Sequence, residues 1–393
     1  MTIQKIDVAV AGYAFMGRVH SAGWAQAAKF FDLGVPVNVT TVVGRNRAAA
    51  QEFADRFGIP NVVTDWREAV ADPSIDVVDV CTPGDSHVDI AIGALEAGKH
   101  VICEKPLANT VEGAERMVAA AEAAKGRGVR SMVGFSYRRT PALAYARKLV
   151  QDGRIGDVRH IRAVYLQDWI ADPEFPLVWR LDKEAAGSGA LGDIGAHIID
   201  LASFVTGHRL TGVSGLTETF VKTRPTLASQ TGGLTAQGGT ERGEVTVDDA
   251  AVFIARTDQG ALATFEATRF ALGRRNAMRI EVNGSKGSLA FDFERMNELE
   301  FYDATRPAAE QGFTRILVTE PDHPYMSAWW PAGSGGVPSY AIRPSCTTTA
   351  RSISGRSGPS SCATSRIEPP VAWKRPSAAA SRPYRLCHSS RRA

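Results

Sequence analysis

The sequence predicts an α/β fold: a doubly wound parallel sheet, then a second α+β domain with a mostly antiparallel, open sheet. Three observations carry this. Apolar, β-branched runs alternate with helix-period stretches as far as residue 135, as strands buried on both faces and their crossover helices do. Beyond about residue 150, strand-like runs follow one another through Gly-bearing turns, such as Asp258-Gln259-Gly260 and Asn283-Gly284-Ser285. A chain of 393 residues that is 44% hydrophobic can also bury more than one core.

In order, residues 6–11 read as a buried strand that stops at Gly12, and 16–31 as a helix. Strand, helix, strand and helix follow at 37–43, 48–57, 62–64 and 66–71. The same order continues with a strand at 75–81, a helix at 87–97, a strand at 100–103, a helix at 111–124 and a strand at 130–135. In the second domain 158–167, 213–222, 250–257, 261–268, 278–283 and 288–293 read as strands, with one helix at 192–206. Residues 224–243, rich in Gly and Thr, read as a loop. The predicted domains are 1–150, 151–334 and a tail at 335–393.

The net charge is only +3, from 45 Lys and Arg against 42 Asp and Glu, too little for a protein that works by neutralising phosphates along nucleic acid. No stretch of 18 apolar residues and no signal-peptide pattern is present, so a cytoplasmic protein without a membrane partner is expected. Cys81 and Cys103 end apolar runs, Cys346, Cys362 and Cys387 lie in the tail, and no pair has metal-ligand spacing; no metal is expected. Residues 341–393 hold ten Lys or Arg and one acid, Glu368. The apolar periodicity ends after Pro331 while Ser, Arg, Pro and Cys accumulate. This stretch reads as a coding region translated out of frame, and a disordered tail is expected.

Gly12-Tyr13-Ala14-Phe15-Met16-Gly17 follows the first strand and opens the first helix, where backbone N–H groups and a helix N-terminus can meet a pyrophosphate. Ala14 stands where such a turn has its middle glycine. The second strand ends in Gly44-Arg45-Asn46-Arg47 without the acid that accepts from a ribose 2′-hydroxyl. A 2′-phosphate is thus tolerated, and NAD and NADP stay open.

Further on, Cys81-Thr82-Pro83 closes the fourth strand with His87 shortly after, Glu104-Lys105-Pro106 closes the fifth, and Asp193-Ile194-Gly195-Ala196-His197 lies in the second domain. Together with the Gly12 loop, these motifs resemble the Gfo/Idh/MocA oxidoreductases, the glucose-fructose oxidoreductase and inositol dehydrogenase relatives, from the start of the chain to about Pro331. The resemblance implies a Rossmann domain binding NAD or NADP through Gly12, Ala14, Phe15, Met16, Gly17, Arg45, Thr82, Pro83, His87 and Glu104. It also implies a catalytic set of Lys105, Asp193 and His197. Residues 137–141, 165–169 and 187–193 resemble a branch of the family that oxidises a hydroxyl of an anhydro-sugar (levoglucosan-like). Oligomers built through the open sheet, a homodimer or homotetramer, are implied as well.

Elementary chemistry agrees with this set. Lys105 sits at the carboxyl end of a parallel strand, where open α/β sheets bind ligands. Asp193 and His197, four apart, share a helix face. Oxidising a secondary alcohol needs a base for the O–H proton while hydride leaves carbon, and an imidazole suits that task. His197 is accordingly read as the base, Lys105 as the group that orients and polarises the hydroxyl, and Asp193 as an orienting group. Tyr137, Gln167, Asp168 and Arg180 are candidate sugar-binding groups, with Trp169 and Trp179 as walls. His20, His100 and His160 read as structural. The expected function is oxidation of a secondary hydroxyl of a sugar, anhydro-sugar or inositol. A nucleotide-sensing regulator would need none of the catalytic set, and an imine or biliverdin-type reductase would not need the Asp193–His197 pair.

Overall fold

The computed structural model describes residues 5–229 and 237–326; the tail, with the reading of it as out of frame, lies outside the described residues. The first domain runs β1 (Ile6–Ala11), α1 (Phe15–Phe30), β2 (Val37–Val43), α2 (Arg47–Phe57), β3 (Asn61–Val63), α3 (Trp66–Ala71), β4 (Val77–Val80), α4 (His87–Glu96), β5 (His100–Cys103), α5 (Val111–Lys125) and β6 (Ser131–Val133). All five strand pairings are parallel, in the order β3-β2-β1-β4-β5-β6. The strand order therefore reverses between β1 and β4, and the carboxyl ends there form the crevice where such sheets take ligands. Every residue of β1 and of β4 is buried, which is why these strands are continuous apolar runs broken only by Asp7 and Asp79.

Local sequence fixes the helix starts. Asn46 accepts from the Ala49 amide at the start of α2, Asp65 and Glu68 form a capping box on α3, and Thr110 caps α5. Gly58 ends α2 in the left-handed region.

The second domain runs α6 (Pro141–Gln151), β7 (Val158–Leu166), α7 (Lys183–Ala186), a π-helical turn (Leu191–Gly195) leading into α8 (Ala196–Thr206), β8 (Leu210–Glu218), β9 (Thr223–Ser229), β10 (Gln237–Glu244), β11 (Ala250–Thr257), β12 (Leu262–Thr268), β13 (Ala277–Gly284), β14 (Gly287–Asp292), β15 (Glu298–Asp303) and β16 (Phe313–Leu317). Eight strands form one sheet, β16-β15-β14-β13-β7-β12-β11-β8. Every pairing is antiparallel except β7 with β12, which are parallel with Leu166 beside Thr268. Helices α6 and α8 pack on one face, where Leu143, Ile161, Phe265, Ile198 and Leu201 share a core. Val213, Leu216, Val252, Ile254 and Leu262 stay exposed.

Three expectations are corrected. Helix α6 lies before residue 150 yet contributes Ala142, Leu143, Ala146 and Leu149 to the second domain's core, so the domains join nearer residue 140. Much of the stretch read as a loop at 224–243 belongs to the β9–β10 hairpin, held by the fully buried Arg224, whose guanidinium donates to the carbonyls of Ile170 (2.6 Å), Asp172 (2.7 Å) and Phe175 (3.1 Å). The helix expected at 192–206 begins as a π-turn.

Candidate active site

The turn after β1 is built for close approach. Gly12 has φ +108°, and a Cβ there would lie 2.8 Å from the Cys81 carbonyl oxygen on the neighbouring strand, so only glycine fits. A Cβ on Gly17 would strike the Gly12 carbonyl oxygen at 2.0 Å, which lets α1 sit directly on the turn. Ala14, the N-cap, provides no side-chain cap, so the first-turn N–H groups of α1 meet no capping oxygen there. Phe15 is exposed and Met16 packs on the core beneath. This cradle fits a pyrophosphate, with the middle glycine dispensable because Ala14 adopts an extended conformation. At the end of β2, Gly44 packs against the Tyr13 ring and Arg45 is exposed.

The motif closing β4 holds together locally. Ser86 Oγ donates to Thr82 Oγ1 at 2.8 Å and to the Pro83 carbonyl at 2.9 Å. His87 is buried, with Nδ1 2.9 Å from the Pro106 carbonyl and Nε2 2.9 Å from the Thr82 carbonyl. Glu104 is buried too, with Oε1 2.9 Å from His20 Nε2. The side chains of His87 and Glu104, expected at the cofactor, are thus engaged in hydrogen bonds within the first domain. Both are inside the domain, and they brace the turn that carries Lys105 from either side.

Lys105 leaves β5 and reaches across to the second domain, where its Nζ donates to the Asp193 carbonyl (2.9 Å) and Oδ1 (3.1 Å). Asp193 sits in the π-turn, a feature frequent at functional sites. The loop before it is held by Asp248, whose carboxylate accepts from the Gly189 and Leu191 amides, both at 2.7 Å. Arg269, fully buried, stands 3.6 Å from Asp193 Oδ2. Burial by itself pushes the Asp193 pKa up, but the charges of Lys105, Arg269 and Arg180 outweigh it and hold this carboxyl far below the usual range. Asp193 is thus a fixed anion that orients Lys105.

His197, in the first turn of α8, meets an aromatic wall: its ring centroid lies 4.7 Å from that of Tyr137, 6.0 Å from Phe135 and 6.1 Å from Tyr165. The Tyr137 and Tyr165 hydroxyls are 2.6 Å apart, and Tyr165 donates to Asn276 Oδ1 at 2.7 Å. Gln167 Nε2 donates to the same Asn276 oxygen at 2.9 Å, so Tyr137 and Gln167 belong to one network. Asp168 instead fastens the 271–275 loop, accepting from the Gly273 amide (3.1 Å) and Arg275 Nη1 (3.2 Å). Arg180 lies over the Trp179 ring, its Cζ 4.4 Å from the centroid, and burial lowers its pKa while Asp193 opposes that. Trp169 packs on Phe175 and faces the Arg269 guanidinium.

Arg269, Asp248 and Asn276 escaped the sequence reading. Arg269 follows β12 directly, and the parallel pairing of β12 with β7 puts it beside Gln167 at the cleft; a sheet read as mostly antiparallel gives no hint of that neighbour. Among the described residues, His20, Asp79 and Cys81 form the one cluster with ligand-type atoms within 4.8 Å of each other, but it is fully buried. No described helix is long and apolar enough to cross a membrane.

Comparisons with known proteins bear on the same residues. Residues 6–135 match the oxidoreductase family with an NAD-binding Rossmann fold, and residues 143–290 match the GFO/IDH/MocA C-terminal domain. The chain is 42% identical over 341 residues to a levoglucosan dehydrogenase of Pseudarthrobacter phenanthrenivorans, covering 85% of each chain. It is similar to an oxidoreductase domain protein of Kribbella flavida (56% identity, TM-score 0.84, 90% of each chain). It is also similar to a levoglucosan dehydrogenase solved with NADH and levoglucosan (39% identity, TM-score 0.81, 89% of this chain and 90% of that one). The two domains, their join across Lys105 and Asp193, and this likeness over both of them make the chain a member of the Gfo/Idh/MocA family of oxidoreductases.

Proposed function

We propose that this protein oxidises a secondary hydroxyl of a cyclic sugar, with an anhydro-sugar of the levoglucosan type as the first candidate and inositols as the second. The observation that carries the reading is the Lys105–Asp193 contact, which sets an ammonium between the carboxyl end of β5 and the wall bearing His197. A bound nicotinamide supplies the hydride acceptor. Lys105 Nζ donates to the substrate oxygen and stabilises its developing negative charge, while Asp193, a permanent anion, keeps that donor aimed. His197 takes the hydroxyl proton on its imidazole. Tyr137 and Gln167, through the Tyr165–Asn276 network, present polar groups to the remaining hydroxyls, and Arg180 on Trp179 closes one side.

Gly12, Ala14, Phe15, Met16 and Gly17 would hold the dinucleotide phosphates, with Thr82 and Pro83 at the neighbouring strand end. Arg45, in place of an acid, leaves room for a 2′-phosphate, so NAD and NADP are both admitted. No step calls on a metal. The relatives' names support the substrate class: besides the levoglucosan dehydrogenase, an inositol 2-dehydrogenase of Rhizobium meliloti is 30% identical over 304 residues. The test is a panel of levoglucosan, inositols and glucosides assayed at 340 nm with each cofactor. Turnover of levoglucosan above the other sugars is expected, and inactivity on every cyclic alcohol with both cofactors contradicts the proposal.

A further inference from the structure

One buried histidine joins elements that the proposed reaction needs to hold in register. His20, on α1, is 1% exposed. Its Nδ1 lies 2.9 Å from both carboxylate oxygens of Asp79 on β4, and its Nε2 2.9 Å from Oε1 of Glu104, just past β5. Trp24, one turn further along α1, donates Nε1 to Asp79 Oδ2 at 2.7 Å. Cys81, beyond β4, lies 3.6 Å from Asp79 Oδ1, and Cys103 ends β5. Burial pushes the Cys81 thiol up to about 12 and raises Cys103 as well, so neither brings charge to the cluster at neutral pH.

Both imidazole nitrogens therefore face carboxylates, an arrangement satisfied when each nitrogen carries a proton. Burial works against a charged ring, but the Asp79 carboxylate outweighs it and raises the His20 pKa well above the ordinary imidazole value. The fit is tight on the far side too: a Cβ on Gly134, past β6, would lie 2.7 Å from Glu104 Oε1. Lys105, with Glu104 before it and Pro106 after it, is thus flanked by two braces, His20 on Glu104 and His87 on the Pro106 carbonyl. Of these only His20 comes from α1, the helix that opens on the phosphate cradle.

We propose that His20 is a positioning residue for the oxidation: by bridging Asp79 and Glu104 it fixes the Lys105 turn relative to the helix that receives the cofactor phosphates. This rests on the reading of Lys105 as the group that touches the substrate hydroxyl. An ion cluster that served folding alone would affect stability and nothing more. A brace on the Lys105 turn affects the turn's mobility and the chemical step, and leaves cofactor affinity nearly as it was.

The test compares His20→Gln, which can still donate to one carboxylate, with Trp24→Phe, which removes a different hydrogen bond to Asp79 and leaves the bridge in place. In the NADH-bound protein, hydrogen exchange at the Glu104 amide, which donates to the Val80 carbonyl at 2.9 Å, is expected to rise by about tenfold or more in His20→Gln and to stay at the wild-type rate in Trp24→Phe. With levoglucosan and NAD, kcat is expected to fall by on the order of 10- to 100-fold in His20→Gln with the KM for NAD changed by less than about threefold, as for loss of an interaction made at the chemical step. Unchanged exchange at the Glu104 amide overturns the proposal. So does wild-type kcat in His20→Gln while Lys105→Ala is inactive, whereas an active Lys105→Ala defeats the reading of the reaction instead. Should His20→Gln fail to fold, the wild-type imidazole decides: ¹⁵N spectra at pH 8 with both His20 nitrogens protonated support the bridge, and a neutral ring refutes it.

Discussion

Asp193 shows how a single side chain is tuned by its neighbours. Its side chain is 25% exposed, yet Lys105, Arg269 and Arg180 surround it closely enough that its carboxyl stays ionised well below the usual range. Such a depressed pKa contributes stability that is present above the unfolded carboxylate value near 4 and is lost as pH falls through the folded value. Replacing Arg269 by Met removes one of those cations and the donor to the Asp248 carbonyl. The variant should lose about 2–3 kcal/mol at pH 7, the cost of breaking a buried pair discounted for the partly exposed carboxylate. Because Asp193 then protonates at a higher pH, the gap to the wild type should narrow as pH falls below about 4 in urea titrations. A gap of constant size over that range would show that Arg269 does not act through the Asp193 charge.

Among the elements, those of the parallel sheet were the most legible. Runs such as residues 6–11 and 37–43 are continuous because both faces are covered, and the crossover helices carry ordinary caps. The second domain was harder to read. β15 (ELEFYD) is short, with only Leu299 and Phe301 buried, and β16 (FTRIL) is almost wholly exposed, so neither leaves an extended apolar run in the sequence. The β9–β10 hairpin is mostly exposed, with irregular register, and is rich in Gly and Thr. Helix α6 did carry a signal, a proline at its first position followed by an amphipathic pattern, but it falls where the sequence reading placed the end of the first domain. At the site, Lys105 and Asp193 were legible as motifs, whereas Arg269 depended on a parallel strand pair in an otherwise antiparallel sheet. The uncovered face of that sheet also has a consequence. Leu216, Val252, Ile254 and Leu262, on β8, β11 and β12, leave apolar surface with no partner among the described residues, and we expect a homodimer or homotetramer to cover it. Ile254→Glu should shift the protein toward monomer by light scattering at micromolar concentration. A monomeric wild type would remove the expectation.

At the scale of the molecule, the central claim is that two separately built domains complete one catalytic set. The first contributes the phosphate cradle at Gly12 and, on the turn after β5, Lys105; the second contributes the π-turn with Asp193 and the start of α8 with His197. Neither half holds the whole set, and Asn109 Nδ2, donating to the Ala185 carbonyl at 3.0 Å, adds a second tie near the Lys105–Asp193 contact. Cofactor binding and hydroxyl oxidation should therefore be separable, since the first needs one domain and the second needs both. The most direct measurement is turnover of levoglucosan beside NADH binding, followed by fluorescence, in Lys105→Ala and His197→Ala. We expect each variant to bind NADH within about threefold of the wild type while kcat falls by on the order of 10² to 10⁴, the range for groups that move or hold a proton at the reacting oxygen. Wild-type turnover in either variant, or loss of NADH binding that accounts for the whole effect, would contradict the account.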